Sequence, residues 1–228
     1  MNQNNDKDYV SVVYNEKDRP LTNYPQQLSR YLNNRYELKK GNKILDIGCG
    51  RGEFLKGFID CGLDGYAIDQ SSTVLNYMPD VKFKTADIEH EGIPFPNSFF
   101  DVVYSKSVIE HFHNPEKLIM EMYRVLKPGG IAITLCPSWE YNYKIYFQDY
   151  THRTPFMYES LRDIQLINGF IEVQVEFFYQ LPILWKNKWL IPLAKLTNRI
   201  VPDYLKENYK WVKWSKEIML LSSSFKPV

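Results

Sequence analysis

Three glycines at alternate positions, Gly48, Gly50 and Gly52, stand behind Asp46 in the stretch ILDIGCGRGEF at 44–54. The apolar residues before them suit a buried parallel strand, and the glycines, with Cys49 between the first two, let the backbone turn tightly and approach a ligand. A dinucleotide fingerprint would read G-x-G-x-x-G/A and seat a pyrophosphate on the following helix. Here the third small position holds Glu53, whose carboxylate would repel a pyrophosphate. The turn therefore suits a ligand with a cationic end and no phosphate. Two more acids follow. Asp69 ends an apolar run about twenty residues beyond the first glycine, the separation at which an acid accepts hydrogen bonds from ribose hydroxyls, although Ser71 and Ser72 behind it also allow a helix cap. Asp87 can accept from an adenine amino group while Ile88 packs on the ring and Gln70 lines it; a matched hydrogen bond of this kind discriminates strongly against the wrong base.

A second set lies further on. Ser105, Lys106 and His111 follow one apolar run, and Asp149, Tyr150, His152 and Arg153 follow another. An imidazole titrates near neutrality and suits removal of a proton from a hydroxyl, which points to His152 or, failing that, His111. Lys106 and Arg153, with Asp149 and Tyr150, could instead anchor an acceptor that is already anionic. The plainer reading of each is a capping or packing role.

The turn at 44–54 resembles the first motif, LDIGCGxG, of the class I S-adenosylmethionine-dependent methyltransferases (methyltransferase-11-like). Phe100–His111 resembles their FDVV…LEH signature, and Arg124–Gly130 their RVLKPGG turn. The resemblance covers roughly 42–136. It implies S-adenosyl-L-methionine as cofactor, S-adenosyl-L-homocysteine as product and no metal. The cofactor would be held by Asp46, Gly48, Cys49, Gly50, Gly52, Asp69, Gln70, Asp87, Ile88 and Ser105. It also implies a helix within 1–40 that covers the cofactor, with Tyr24 and Arg30 at its methionine end and Arg30 pairing the carboxylate. Asp149–Phe156 is similar to the DxTHxxPF stretch of methyltransferases of bacterial surface-polysaccharide precursors. That similarity implies O-methylation of a sugar, sugar nucleotide, or phosphoryl or phosphoramidate-type precursor of a capsule or other surface glycan. Two alternatives compete. A nicotinamide-dependent oxidoreductase or epimerase is disfavoured by Glu53 and by the absence of a Tyr-x-x-x-Lys pair right after the fourth strand. A non-catalytic S-adenosylmethionine-binding module is disfavoured by the polar stretch at 149–156.

Positioning these residues requires alternating strands and helices. Apolar runs predict strands at 44–47, 63–69, 81–85, 101–105, 131–135, 169–178 and 217–223. Helical spacing predicts a helix from about Thr22, one opening at Glu53, one at Asn114-Pro115 and one at Thr154-Pro155 with Leu161, Ile164 and Leu166 inward. The expected fold is α/β: a Rossmann-like, doubly wound, seven-stranded, mostly parallel sheet with an antiparallel edge strand and a helical insertion at 180–216 before the last strand. The whole of 1–228 is expected to form a single domain. The insertion spaces Leu184, Trp185, Trp189, Leu190, Leu193, Leu196 and Ile200 helically. That spacing favours core packing or a dimer contact over a lid or a basic, aromatic membrane-surface face.

Composition bounds the rest. With 44% hydrophobic and 24% charged residues and a net charge of +1, the chain reads as an ordinary globular protein. No global field argues for nucleic acid, so a small-molecule acceptor is the expected partner. Charge is uneven: from Pro182 onward nine Lys/Arg face three Asp/Glu. Cys49, Cys61 and Cys136 form neither a metal-ligand pattern nor a disulfide framework. Met1–Asp8 is polar and reads as disordered, without the apolar core of a signal peptide. No run is long enough to span a membrane, and a cytoplasmic location is expected.

Overall fold

A computed structural model describes residues 16–17, 19–206 and 209–228, so the expected disorder of Met1–Asp8 lies outside the described residues. The seven expected strands form one sheet in the spatial order Lys82–Thr85, Asp64–Asp69, Lys43–Ile47, Phe100–Lys106, Leu126–Pro137, Met219–Phe225 and Ile171–Phe178. The chain divides into two units, Met1–Pro94 and Phe95–Val228.

In the first unit β1 (Lys43–Ile47), β2 (Asp64–Asp69) and β3 (Lys82–Thr85) pair in parallel. Ile44, Leu45 and Ile47 are fully buried, as a strand in a covered parallel sheet requires. Helix α1 (Tyr24–Arg35) starts at the expected place, with Asn23 in the cap position and Pro25 in the first turn. Helix α2 (Glu53–Asp60) follows the glycine turn. The two helices cross where Gly57 lacks a side chain: a Cβ there would meet the Ser29 Oγ at 2.7 Å and the Gln26 Cα at 3.1 Å. The Ser29 hydroxyl uses that approach to donate to the Phe54 carbonyl at 2.8 Å.

In the second unit β4 (Phe100–Lys106) and β5 (Leu126–Pro137) pair in parallel, while β7 (Met219–Phe225) runs antiparallel to both β5 and β6 (Ile171–Phe178). Helix α3 (Pro115–Val125) buries Leu118, Ile119, Met122 and Val125, as its spacing predicts. Strand β5 starts earlier than expected. Leu126 already pairs with Phe100, and the Gly129–Gly130 turn is held by two backbone bonds with Lys226.

Helix α4 begins at Tyr158, later than expected, and ends at Ile167. Leu161 is buried, but Leu166 is 47% exposed and Gln165 faces inward in its place. The Gln165 amide donates to the Ser222 hydroxyl at 2.6 Å and accepts from the Ser224 hydroxyl at 2.7 Å. A polar side chain thus joins α4 to β7, its polar atoms matched by strand hydroxyls.

The insertion between β6 and β7 contains α5 (Pro182–Lys186), α6 (Ile191–Ile200) and α7 (Lys210–Lys216). Leu184 and Ala194 form a small core with Tyr179, Leu181 and Ile218, against which Leu190, Ile191, Trp211 and Trp214 pack. Leu193, Leu196 and Ile200, placed inward by their spacing, are exposed.

Candidate active site

The first unit builds a glycine turn at the carboxyl end of β1. Gly48, Gly50 and Gly52 have φ of 67°, 54° and 77°, a region where an L side chain costs about 1–2 kcal/mol. The turn is anchored by the Gly48 N–H, which donates to the Ile68 carbonyl at 2.8 Å. It is braced by Asp69, whose two oxygens accept from the Gly50 N–H at 2.8 Å and the Ser71 N–H at 2.9 Å. A Cβ on Gly50 would meet nothing within 4 Å, whereas one on Gly52 would strike Met78 and Val74. Gly50 therefore borders open space and Gly52 is a packing position.

Asp46 lies beneath this turn. It is buried, and its Oδ2 has no hydrogen-bond partner among the described residues. Burial, with the Asp69 carboxylate adding, holds its pKa well above the carboxylate range, against the pull of the Leu55 N–H. A buried acid with an unsatisfied oxygen suits a cationic ligand group. Cys49 is buried beside it, and burial pushes its thiol up.

The other first-unit candidates divide. Tyr24 stands edge-on to Phe54 at 6.3 Å, and burial pushes its hydroxyl up. Ile88 is buried and Gln70 exposed. Asp87 caps the helical turn Ile88–Glu91, accepting from the Glu89 N–H at 3.1 Å, and lies 2.9 Å from the His90 Nδ1. Arg30 is exposed, and its charge acts on Cys61, the residue that ends α2. The glycine turn is at the other end of that helix, about 12 Å away at 1.5 Å per residue. The cation beside the turn is Arg51, which sequence reasoning missed. Its guanidinium is buried, pairs with Glu53 at 2.7 Å and donates to the Arg19 carbonyl at 2.8 Å. Its adjacency to Glu53 was the available signal.

The second unit gathers Glu110, His111, Asp149, Thr151 and His152. The strap 149–156 is stitched down by backbone bonds from Arg153 and Thr154 to the Glu110 carbonyl at 2.8 and 3.1 Å, and by the Thr154 hydroxyl on the Phe112 carbonyl at 2.8 Å. The Thr151 hydroxyl donates to Asp149 at 2.5 Å, so its oxygen accepts from the His111 Nδ1 at 2.8 Å. The His152 Nδ1 donates to the Tyr146 carbonyl at 2.6 Å. Each ring thus carries its proton on Nδ1, which leaves Nε2 as the basic nitrogen. The rings meet edge to face at 4.9 Å. Burial, with the His152 ring adding, pushes the His111 pKa down to about 4.

Glu110 is fully buried, and neither carboxylate oxygen makes a well-formed hydrogen bond among the described residues. Burial pushes its pKa up to about 8, although the N–H groups of Glu110 and Val108 and the Lys106 charge favour ionisation. Glu110, which the sequence reading placed in the FDVV…LEH stretch without a role of its own, is the buried acid of the cluster. Each of Glu110, His111 and His152 offers one ligand atom, and the three lie within 4.8 Å of one another. Two imidazoles and a carboxylate could hold zinc or a similar divalent ion, a possibility the sequence spacing did not raise.

The remaining second-unit candidates are less concentrated. Ser105 is buried in β4 with its hydroxyl unsatisfied among the described residues. Lys106 ends that strand, and Ser107 after it has a φ of 57°. Tyr150 is exposed. The Arg153 guanidinium is exposed and turned onto the Tyr150 and His152 carbonyls and His113. Helix α4 begins only at Tyr158, more than a turn beyond Arg153, so its N-terminal dipole, which fades within a turn, does not act on Asp149, His152 or Arg153.

Residues 45–134 match the methyltransferase domain family. The chain is 30% identical over 152 residues to phosphoethanolamine N-methyltransferase 2 of Caenorhabditis elegans, a match that covers 61% of this chain and 35% of the relative. It is 32% identical over 111 residues to the ubiquinone/menaquinone biosynthesis C-methyltransferase UbiE of Neisseria meningitidis, covering 45% of each. The chain thus spans less than half the length of these curated relatives. Among solved structures, Haemonchus contortus phosphoethanolamine N-methyltransferase 2 in complex with S-adenosyl-L-methionine superposes with a TM-score of 0.66 at 20% identity, over 89% of this chain and 52% of that one. The shared fold is the seven-stranded, Rossmann-like, mostly parallel sheet.

Proposed function

We propose that the chain is an S-adenosylmethionine-dependent methyltransferase (EC 2.1.1.-) acting on a small polar or anionic acceptor, and that 1–228 works as one such domain. The observation that carries this reading is the glycine turn bordering open space at Gly50 and braced by Asp69, with the buried Asp46 carboxylate beneath it, whose Oδ2 has no hydrogen-bond partner among the described residues. When bound, the cofactor supplies a methyl group on a sulfonium. Asp69 has further lone pairs for ribose hydroxyls, Asp46 offers negative charge to a cationic end, and Ile88 offers an apolar surface to adenine. Asp87 would read the adenine edge only with lone pairs left over from its capping role. The family match at 45–134 and the relatives named above support this reading.

For the acceptor we infer a hydroxyl whose proton is taken by the second-unit imidazoles. The His152 Nε2 is the better placed base, because its Nδ1–H is fixed on the Tyr146 carbonyl; the low pKa of His111 makes it a weak one. Alignment of acceptor, methyl and leaving group can lower the barrier by about 7–11 kcal/mol. The resemblance of 149–156 to glycan-precursor methyltransferases is the ground for a sugar, sugar nucleotide or phosphoryl-type acceptor. Methyl transfer from labelled cofactor to a panel of these, with phosphoethanolamine and a quinone precursor beside them, tests the reading. His152→Ala should lower turnover on a hydroxyl acceptor by about 10²–10⁴-fold. Full turnover by that variant with an unchanged pH profile would overturn the base assignment. Cofactor binding without transfer to any member would favour a binding module.

A further inference from the structure

We propose that α6 and the turn before it form a docking face for an anionic lipid bilayer. Trp189, Leu193, Leu196 and Ile200 are 76%, 52%, 52% and 66% exposed. Leu193, Leu196 and Ile200, three and four residues apart, form one stripe along α6, and Trp189 stands in the turn before it. The side next to the stripe is already satisfied: Ala194 and Thr197 are buried, the Thr197 hydroxyl donates to the Leu193 carbonyl at 3.0 Å, and the Trp211 indole donates to Thr197 at 3.0 Å. Ile183 on α5 adds another half-exposed apolar side chain.

Charge selects the occupant. Residues 177–202 contain no Asp or Glu and four cations, Lys186, Lys188, Lys195 and Arg199, all exposed. Lys195 and Arg199 flank the stripe on the side away from the buried face. A second copy of this chain would bring the same cations against one another, whereas an anionic bilayer takes both features. The apolar side chains enter the headgroup boundary and the cations meet lipid phosphate, the pattern of an interfacial helix. An exposed Trp beside the stripe is the aromatic type favoured at that depth. With only three turns of helix the binding is reversible, and the charges contribute much of it.

The test is co-sedimentation of the full chain with vesicles of phosphatidylcholine alone and with 30% phosphatidylglycerol (on the order of cell membranes). Binding to the anionic vesicles, weak binding to the neutral ones, and loss in high salt are expected. Each cation near an anionic surface contributes about five-fold, so Lys195→Glu with Arg199→Glu should weaken binding by at least about 25-fold. Leu193→Ser with Leu196→Ser should also weaken it while the cations remain. These exposed substitutions should leave the thermal midpoint and cofactor binding unchanged, which separates lost docking from lost folding. The proposal is overturned if the protein ignores anionic vesicles, if neutral and anionic vesicles bind alike, if either double variant binds as the parent does, or if the chain is a dimer in solution that the Leu193/Leu196 variant dissociates.

Discussion

The acids under and beside the glycine turn have opposite situations. Asp69 is satisfied by two backbone donors and braces the loop, whereas Asp46 is buried with one oxygen unpartnered among the described residues and a raised pKa. The sign follows from that direction. An acid whose folded pKa lies above the unfolded value of about 3.9 costs nothing below that pH and lowers stability as pH rises toward the folded pKa. Asp46→Asn should therefore raise the thermal midpoint of the ligand-free protein at pH 7 by a few degrees, about 2–4 °C for each kcal/mol. The gap should close as pH falls toward 4; equal midpoints throughout would mean Asp46 is not strained by burial. The turn was legible because its residues are contiguous and glycine is needed at each left-handed position. Asp69 was legible because one strand-helix-strand step fixes its separation. Arg30 is exposed and acts on Cys61; spacing along α1 does not say which end of α2 its long side chain reaches. Glu110 was missed because a buried acid beside a histidine has no spacing signature.

At the scale of elements, the α1–α2 crossing depends on Gly57. Alanine has the higher helix propensity by about 1 kcal/mol, but its Cβ would press on Ser29 and on the Gln26 backbone. Overpacking against backbone costs about 1–3 kcal/mol, so Gly57→Ala should lower the thermal midpoint and weaken cofactor binding, readable by calorimetry and titration. A stabilised variant would show that the helices can move apart freely. Helix α4 carries a second expectation. Gln165→Leu leaves the hydroxyls of Ser222 and Ser224 without their amide partner, a loss of about 1–3 kcal/mol, measurable by denaturant unfolding. The positions of the strands and of α1 to α3 followed from apolar periodicity and Pro or Gly punctuation. The inward face of α4 did not, because Gln165 is buried through hydrogen bonds that hydropathy counts as a reason for exposure. The stripe of α6 misled in the other direction: helical spacing identified one face without saying whether that face meets the core or solvent.

The molecule as a whole joins a fold that was largely readable to chemistry that was only partly so. Among the described residues no helix is long and apolar enough to cross a membrane. The imidazole pair acts as base in this account, although with Glu110 it is also a metal donor set. Protein stripped with EDTA should keep its turnover, and a rate restored only by zinc would recast both rings as ligands. The central claim is that an S-adenosyl nucleoside lies on the glycine turn against Asp69. Calorimetric titration of the protein and of Asp69→Ala with S-adenosylhomocysteine, with NAD as comparison, tests it most directly. The account predicts saturable binding of S-adenosylhomocysteine by the parent, at least about a hundred-fold weaker binding by the variant from the loss of charge-assisted bonds, and no binding of NAD. Equal affinity in both proteins, or a preference for NAD, would contradict it.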